Sequence, residues 1–128
     1  MAHLLFVCLH NAGRSQMSEA FFTELTRGRH EARSAGTEPA QQVHPTVVEV
    51  MREVGHEIGQ RKPQRLTDDL AEWADVVVTM GCGDQCPYLP GRCYLDWQLQ
   101  DPAGQSIEQV RELRDVIRNR IVALLDHL

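Results

Sequence analysis

The first chemistry-bearing group in this chain is a cysteine and an arginine with five residues between them, and a serine directly after: Cys8-Leu9-His10-Asn11-Ala12-Gly13-Arg14-Ser15. A tetrahedral oxyanion presents several oxygens at once, and a tight loop running into a helix aims successive backbone N–H groups inward to receive them. Gly13, without a Cβ, is expected to take positive φ and let the backbone approach the anion. Asn11 is the next most tolerant of a left-handed conformation. Arg14 adds a planar fork that engages two oxygens together. The same dipoles and charge are expected to lower the Cys8 pKa, making a thiolate available at neutral pH. Ser15 can hydrogen-bond the sulfur. Cys8 is therefore read as a nucleophile, and His10, Asn11, Ala12, Gly13, Arg14 and Ser15 as the substrate-binding loop. The plain alternative is a buried core cysteine beside a surface arginine. The Asn, the Gly and the following helix weigh against it.

The elements that must hold this loop are legible around it. Residues 3–8 form a compact apolar run that reads as a buried strand. Met17, Ala20, Phe21 and Leu25 recur at helical spacing after Ser15, with Gly28 as a stop. Residues 31–36 are a weak strand candidate. His44-Pro45-Thr46 opens a helix whose stripe is Val47, Val50, Met51 and Val54, ended by Gly55. Residues 60–65 are basic and irregular, and Thr67 caps a short helix reaching Trp73. Asp75-Val76-Val77-Val78-Thr79-Met80 is β-branched and continuous, as a central parallel strand should be. Gly81, Gly83, Pro87, Pro90 and Gly91 make 81–91 a loop, and residues 92–96 a last strand. Ser106 and Gln109 form a capping box for a final helix. Its stripe is Ile107, Val110, Leu113, Ile117, Ile121, Leu124 and Leu128. Alternating strands and helices imply an α/β fold with right-handed crossovers and a mainly parallel sheet. Ligands then bind beyond the carboxyl ends of the strands, where the 8–15 loop, the 81–91 loop and the segment after the last strand can meet.

The bulk properties set outer limits. The 128 residues suit one domain, 1–128, large enough to bury a core. Thirteen basic and 18 acidic residues give a formal charge of −5, which argues against nucleic acid as a partner. The apolar start lacks a basic flank and a small-residue cleavage site, and no stretch approaches a bilayer span, so no membrane partner and a cytoplasmic location are expected. In that compartment four cysteines point to catalysis, redox work or metal rather than to a disulfide framework.

The loop with Gln16-Met17 resembles the active-site loop of arsenate reductases built on the low-molecular-weight tyrosine phosphatase fold. The resemblance continues through Ser34-Ala35-Gly36-Thr37-Glu38, Val78-Thr79-Met80, Asp96-Trp97 and Asp101-Pro102-Ala103-Gly104. It implies three layers, with a four-stranded parallel sheet flanked by helices. It implies arsenate as the oxyanion, Cys8 attacking arsenic, and Asp101 as general acid for a departing oxygen. Pro102 restricts Asp101 to extended backbone, and partial burial would keep its carboxyl protonated.

The remaining cysteines decide between reductase and phosphatase. Thioredoxin-linked relatives use two further cysteines after the central strand, and Cys82 and Cys86 occupy that region. Their spacing, Cys-x3-Cys, is shorter than usual, and Gly13 stands where such relatives often carry a cysteine. Both departures resemble relatives that hand arsenic to an external thiol such as mycothiol. The reductant is thus thioredoxin or a mycothiol/glutaredoxin-type system, with no tightly bound cofactor. Cys82, Cys86 and Cys93 as zinc ligands lack an evident fourth partner, so no metal site is assigned. Cys93 is most simply a small buried residue. Some relatives hold potassium behind the loop, which Asn11, Glu19 and Ser34 match in part, with Lys62 as an electrostatic substitute. Arg61, Lys62 and Arg65 otherwise read as a solvated basic face. A tyrosine phosphatase shares the loop and acid but needs no second thiol. Ala103-Gly104 after Asp101-Pro102 supply none of the aromatic walls such an enzyme uses.

Overall fold

The computed structural model describes residues 1–81 and 93–128. The elements in chain order are β1 (His3–Cys8), α1 (Arg14–Thr26), β2 (Glu31–Gly36), α2 (Pro45–Arg52), α3 (Asp68–Trp73), β3 (Val76–Thr79), β4 (Cys93–Asp96) and α4 (Ile107–Leu125). The four strands make one parallel sheet in the order β2-β1-β3-β4. β1 is paired along both edges and has helices packed over both faces, so its sequence is apolar without alternation. Its side chains still divide. Leu4, Phe6 and Cys8 enter a large core with α1, α2 and α4, while Leu5 and Val7 join Ala35, Ala74 and Val77 on the other face, flanked by Leu70 and Trp73 of α3. The result is the expected three-layer α/β architecture.

β2, Glu-Ala-Arg-Ser-Ala-Gly, has little intrinsic strand character. It forms because it pairs with β1 residue by residue, from His3↔Glu31 to Cys8↔Gly36. The strand order places β2 on one side of β1 and β3 on the other. Chain leaving β1 and β3 therefore diverges, and opens a crevice above Cys8 and Thr79.

The helices mostly follow the expected stripes, with differences at their ends. α4 carries the Ser106–Gln109 capping box and buries Val110, Leu113, Ile117, Ile121 and Leu124. Leu128 lies beyond its last turn and is exposed. α2 ends at Arg52, so Val54 falls outside the helix and is exposed rather than part of the buried stripe. The turn that stops α1 starts at Arg27, left-handed at φ 51°, one residue before Gly28. α1 also buries Phe22 beside Phe21, because it packs against α4 as well as the sheet. Cys93, expected inside, begins the edge strand β4 and is exposed.

Candidate active site

The loop between β1 and α1 is shaped by where its carbonyls go. Six successive carbonyls, from Cys8 to Gly13, each accept a hydrogen bond. Thr37, Glu38, Ala40 and His44 donate backbone N–H groups to Cys8, Leu9, His10 and Ala12, at 3.3, 2.8, 3.0 and 3.0 Å. The Met17 N–H takes Gly13, and Gln16 Nε2 takes Asn11 at 3.1 Å. The C=O and N–H of one peptide unit point in opposite directions. Carbonyls anchored on flanking groups therefore turn the intervening N–H groups to the loop's other side. The Cys8–Arg14 spacing predicts a cradle of N–H groups on that side.

At its floor Cys8 is 2% exposed. It belongs to the core cluster, yet its sulfur has a polar partner in Ser15 Oγ at 3.0 Å. Asn11 Nδ2 donates to the same Ser15 oxygen at 2.7 Å. With that oxygen accepting from Asn11, the serine proton is left to point at sulfur. Asn11 is fully buried and left-handed, φ 51°. Its short polar side chain stabilises that conformation by bonding locally.

Gly13 has φ −147°, outside the left-handed region, so the expected positive φ falls on Asn11 instead. Gly13 is required for space. A Cβ there would lie 2.5 Å from Pro102 Cγ. Pro102 presses on the loop, and Asp101 beside it comes to the loop's rim. One Asp101 oxygen accepts from the Ala103 N–H at 3.0 Å, and Oδ2 lies 3.7 Å from Arg14 Nη2. The Asp101 side chain is 42% exposed, so the acid is partly buried, as expected.

Arg14 is buried, and its guanidinium covers Gly81, whose φ of 96° and missing Cβ allow the contact. Nη1 reaches the Leu99 carbonyl at 3.5 Å. Its Nε is buried and, among the described residues, lacks a hydrogen-bond partner. A buried donor left in that state is suited to an incoming acceptor. The segment carrying Leu99 to Pro102 is itself fixed. Trp97 donates its N–H to Thr79 at 2.8 Å and packs on Phe6, while Thr79 Oγ1 and Gln98 Nε2 both donate to Asp96 at 2.7 Å. Asp101, distant in the chain from Cys8 and Arg14, thus shares one crevice with them.

Two histidines border it. His10 Nδ1 lies 2.9 Å from the Glu38 carbonyl, which can only accept, so that nitrogen carries hydrogen. The His10 ring is thereby tied to the flanking chain. His44, read from sequence only as a helix opener, faces Gly13. Burial lowers its pKa, opposed by Asp101 and assisted by His10 and Arg14. A histidine in the N-cap position, where Ser, Thr, Asp or Asn usually stands, was the available signal. Gln16 and Gln64 are further contributors that spacing alone did not mark. Cys82 and Cys86 lie outside the described residues, as does the zinc reading that needs them. Among the described residues no helix is long and apolar enough to cross a membrane.

The model of the low molecular weight phosphotyrosine protein phosphatase family matches residues 3–128. A putative arsenate reductase of Halobacterium salinarum is 46% identical over 127 residues, covering 94% of this chain and 89% of its own. A glutaredoxin arsenate reductase of a Synechocystis species is 37% identical, covering 98% and 97%. Among solved structures, a thioredoxin-dependent arsenate reductase of Corynebacterium glutamicum superposes with TM-score 0.87 at 42% identity. That match covers 99% of this chain, which spans 61% of the Corynebacterium chain.

Proposed function

The chain belongs to the low molecular weight phosphotyrosine protein phosphatase family, and on that premise we propose that it is an arsenate reductase. The observation that carries the reading is the set of six anchored carbonyls around a buried thiol hydrogen-bonded to Ser15. A floor of N–H groups with a sulfur nucleophile suits a tetrahedral oxyanion. The named arsenate reductases among its relatives support arsenate as that oxyanion.

In the proposed cycle Cys8 sulfur attacks arsenic and forms an S–As bond. One As–O bond breaks, and Asp101 protonates the departing oxygen so that it leaves as water. Arg14 and the loop N–H groups stabilise the charge that develops on the remaining oxygens. Further thiolates complete the two-electron reduction by one of two routes. In the first, Cys82 attacks Cys8 sulfur, an S–S bond forms, the S–As pair returns to arsenic, and arsenite departs. Cys86 then attacks Cys82, and the resulting Cys82–Cys86 disulfide is reduced by a thioredoxin-type protein. In the second, a low-molecular-weight thiol attacks arsenic itself and displaces Cys8. The released adduct is reduced by a further thiol with a glutaredoxin-type protein. Either route places the enzyme in the reducing cytoplasm.

The test is arsenite release by wild type, Cys8→Ser, Cys82→Ser and Cys86→Ser, with thioredoxin or with a low-molecular-weight thiol system. Cys8→Ser is expected to abolish release with both; retained turnover overturns the scheme. Loss in both other variants assigns the internal relay, and full activity of both with the external thiol assigns the one-cysteine route. Faster hydrolysis of an aryl phosphate than reduction of arsenate would make the protein a phosphatase instead.

A further inference from the structure

Next to the loop lies a polar cavity of about 280 Å³ lined by Asn11, Gln16, Glu19, Ser34, Arg61 and Gln64. The oxygens expected to take a monovalent cation border it, and each already accepts an N–H. Asn11 Oδ1 accepts from the Gln64 N–H at 2.9 Å and from Gln16 Nε2 at 3.2 Å. The Ser34 carbonyl accepts from Gln64 Nε2 at 2.8 Å. Glu19 Oε2 pairs with Arg61 Nη1 at 2.9 Å. This donor set does not fit an added cation while Arg61 holds Glu19. Lys62 borders the cavity and is exposed, so the electrostatic substitute is its neighbour Arg61, turned inward from the expected basic face.

The same guanidinium reaches the loop. Arg61 Nη1 lies 3.5 Å from Gln16 Oε1, which fixes which end of that amide faces it. Gln16 Nε2 is thereby turned to Asn11 Oδ1 and to the Asn11 carbonyl. Asn11 Nδ2 is in turn presented to Ser15, whose hydroxyl meets Cys8 sulfur. Every donor in this series points toward the nucleophile.

We infer that Arg61 is a positioning residue: seated on Glu19 and Gln16, it takes the place of a monovalent cation and sets the direction of the hydrogen bonds that end on Cys8. The inference rests on the loop being the anion site, and it makes the wild-type protein indifferent to potassium.

Isothermal calorimetry with inorganic phosphate tests it, in potassium chloride and in choline chloride at equal ionic strength. Wild type is expected to bind equally in both. R61A is expected to bind about fivefold more weakly in choline, with recovery on adding potassium, and R61K to restore most of the affinity. Three results overturn the inference: tighter wild-type binding in potassium, unchanged binding by R61A, or a loss in R61A that neither R61K nor potassium recovers. The comparison of the two salts on wild type holds even if R61A fails to fold. A wild-type protein that binds no phosphate in either salt contradicts the anion-site reading itself.

Discussion

Gly13 and Asp101 are coupled through one proline ring. The gap that glycine leaves admits Pro102 Cγ, and the Asp101 carboxylate next to it lies beside Arg14. In Gly13→Ala the added Cβ displaces Pro102, and Asp101 with it. The kcat for arsenate should fall by about tenfold or more, while phosphate affinity changes less. A loss confined to affinity would contradict this. His44 gives a pH prediction. Burial lowers its folded pKa, so below about 6.5 the unfolded chain binds a proton that the folded protein resists. Stability is therefore lost as pH falls from the unfolded toward the folded value. In His44→Asn the decline of Tm from about pH 7.5 to about 5.5 should be less steep. An identical slope excludes the coupling. Cys8, Arg14 and Ser15 were readable because their types and spacing are tied to one chemistry. His44, Gln64 and Arg61 were not, because their role depends on contacts that close across 31 residues or more.

The first turn of α1 explains why periodicity undercounts a functional helix. Arg14, Ser15, Gln16 and Ser18 are buried beside Met17, so polar residues occupy positions a hydrophobic stripe would leave to the surface. Ser15, Gln16 and Ser18 find partners in Cys8, Asn11, Met80 and the helix's own backbone, so their burial leaves no hydroxyl or amide unpaired. α4 is the opposite, with a regular apolar stripe and a capping box, and its core was legible in full up to its last turn. β2 was weak in sequence because its pairing with β1, rather than its own residues, makes it a strand. Ile117 lies fully buried in the middle of α4. Ile117→Ala should lower stability by about 2–5 kcal/mol, read by denaturant unfolding, with phosphate affinity retained by the folded protein. Destabilisation below about 0.5 kcal/mol would show that the α4 stripe is not part of the core.

For the whole molecule, a formal charge of −5 coexists with a site built for an anion. The sheet resolves the conflict. Its strand order brings the end of β1, the end of β3 and the segment after β4 into one crevice, where Arg14 and the N–H groups act at short range. The most direct measurement is the alkylation rate of Cys8 by iodoacetamide, read by peptide mass mapping, with phosphate titrated in. A tetrahedral anion resting on the loop must cover the sulfur beneath it, so phosphate should slow modification of Cys8 in a saturable way and leave Cys93 unaffected. Alkylation of Cys8 at the same rate with and without phosphate would contradict the account.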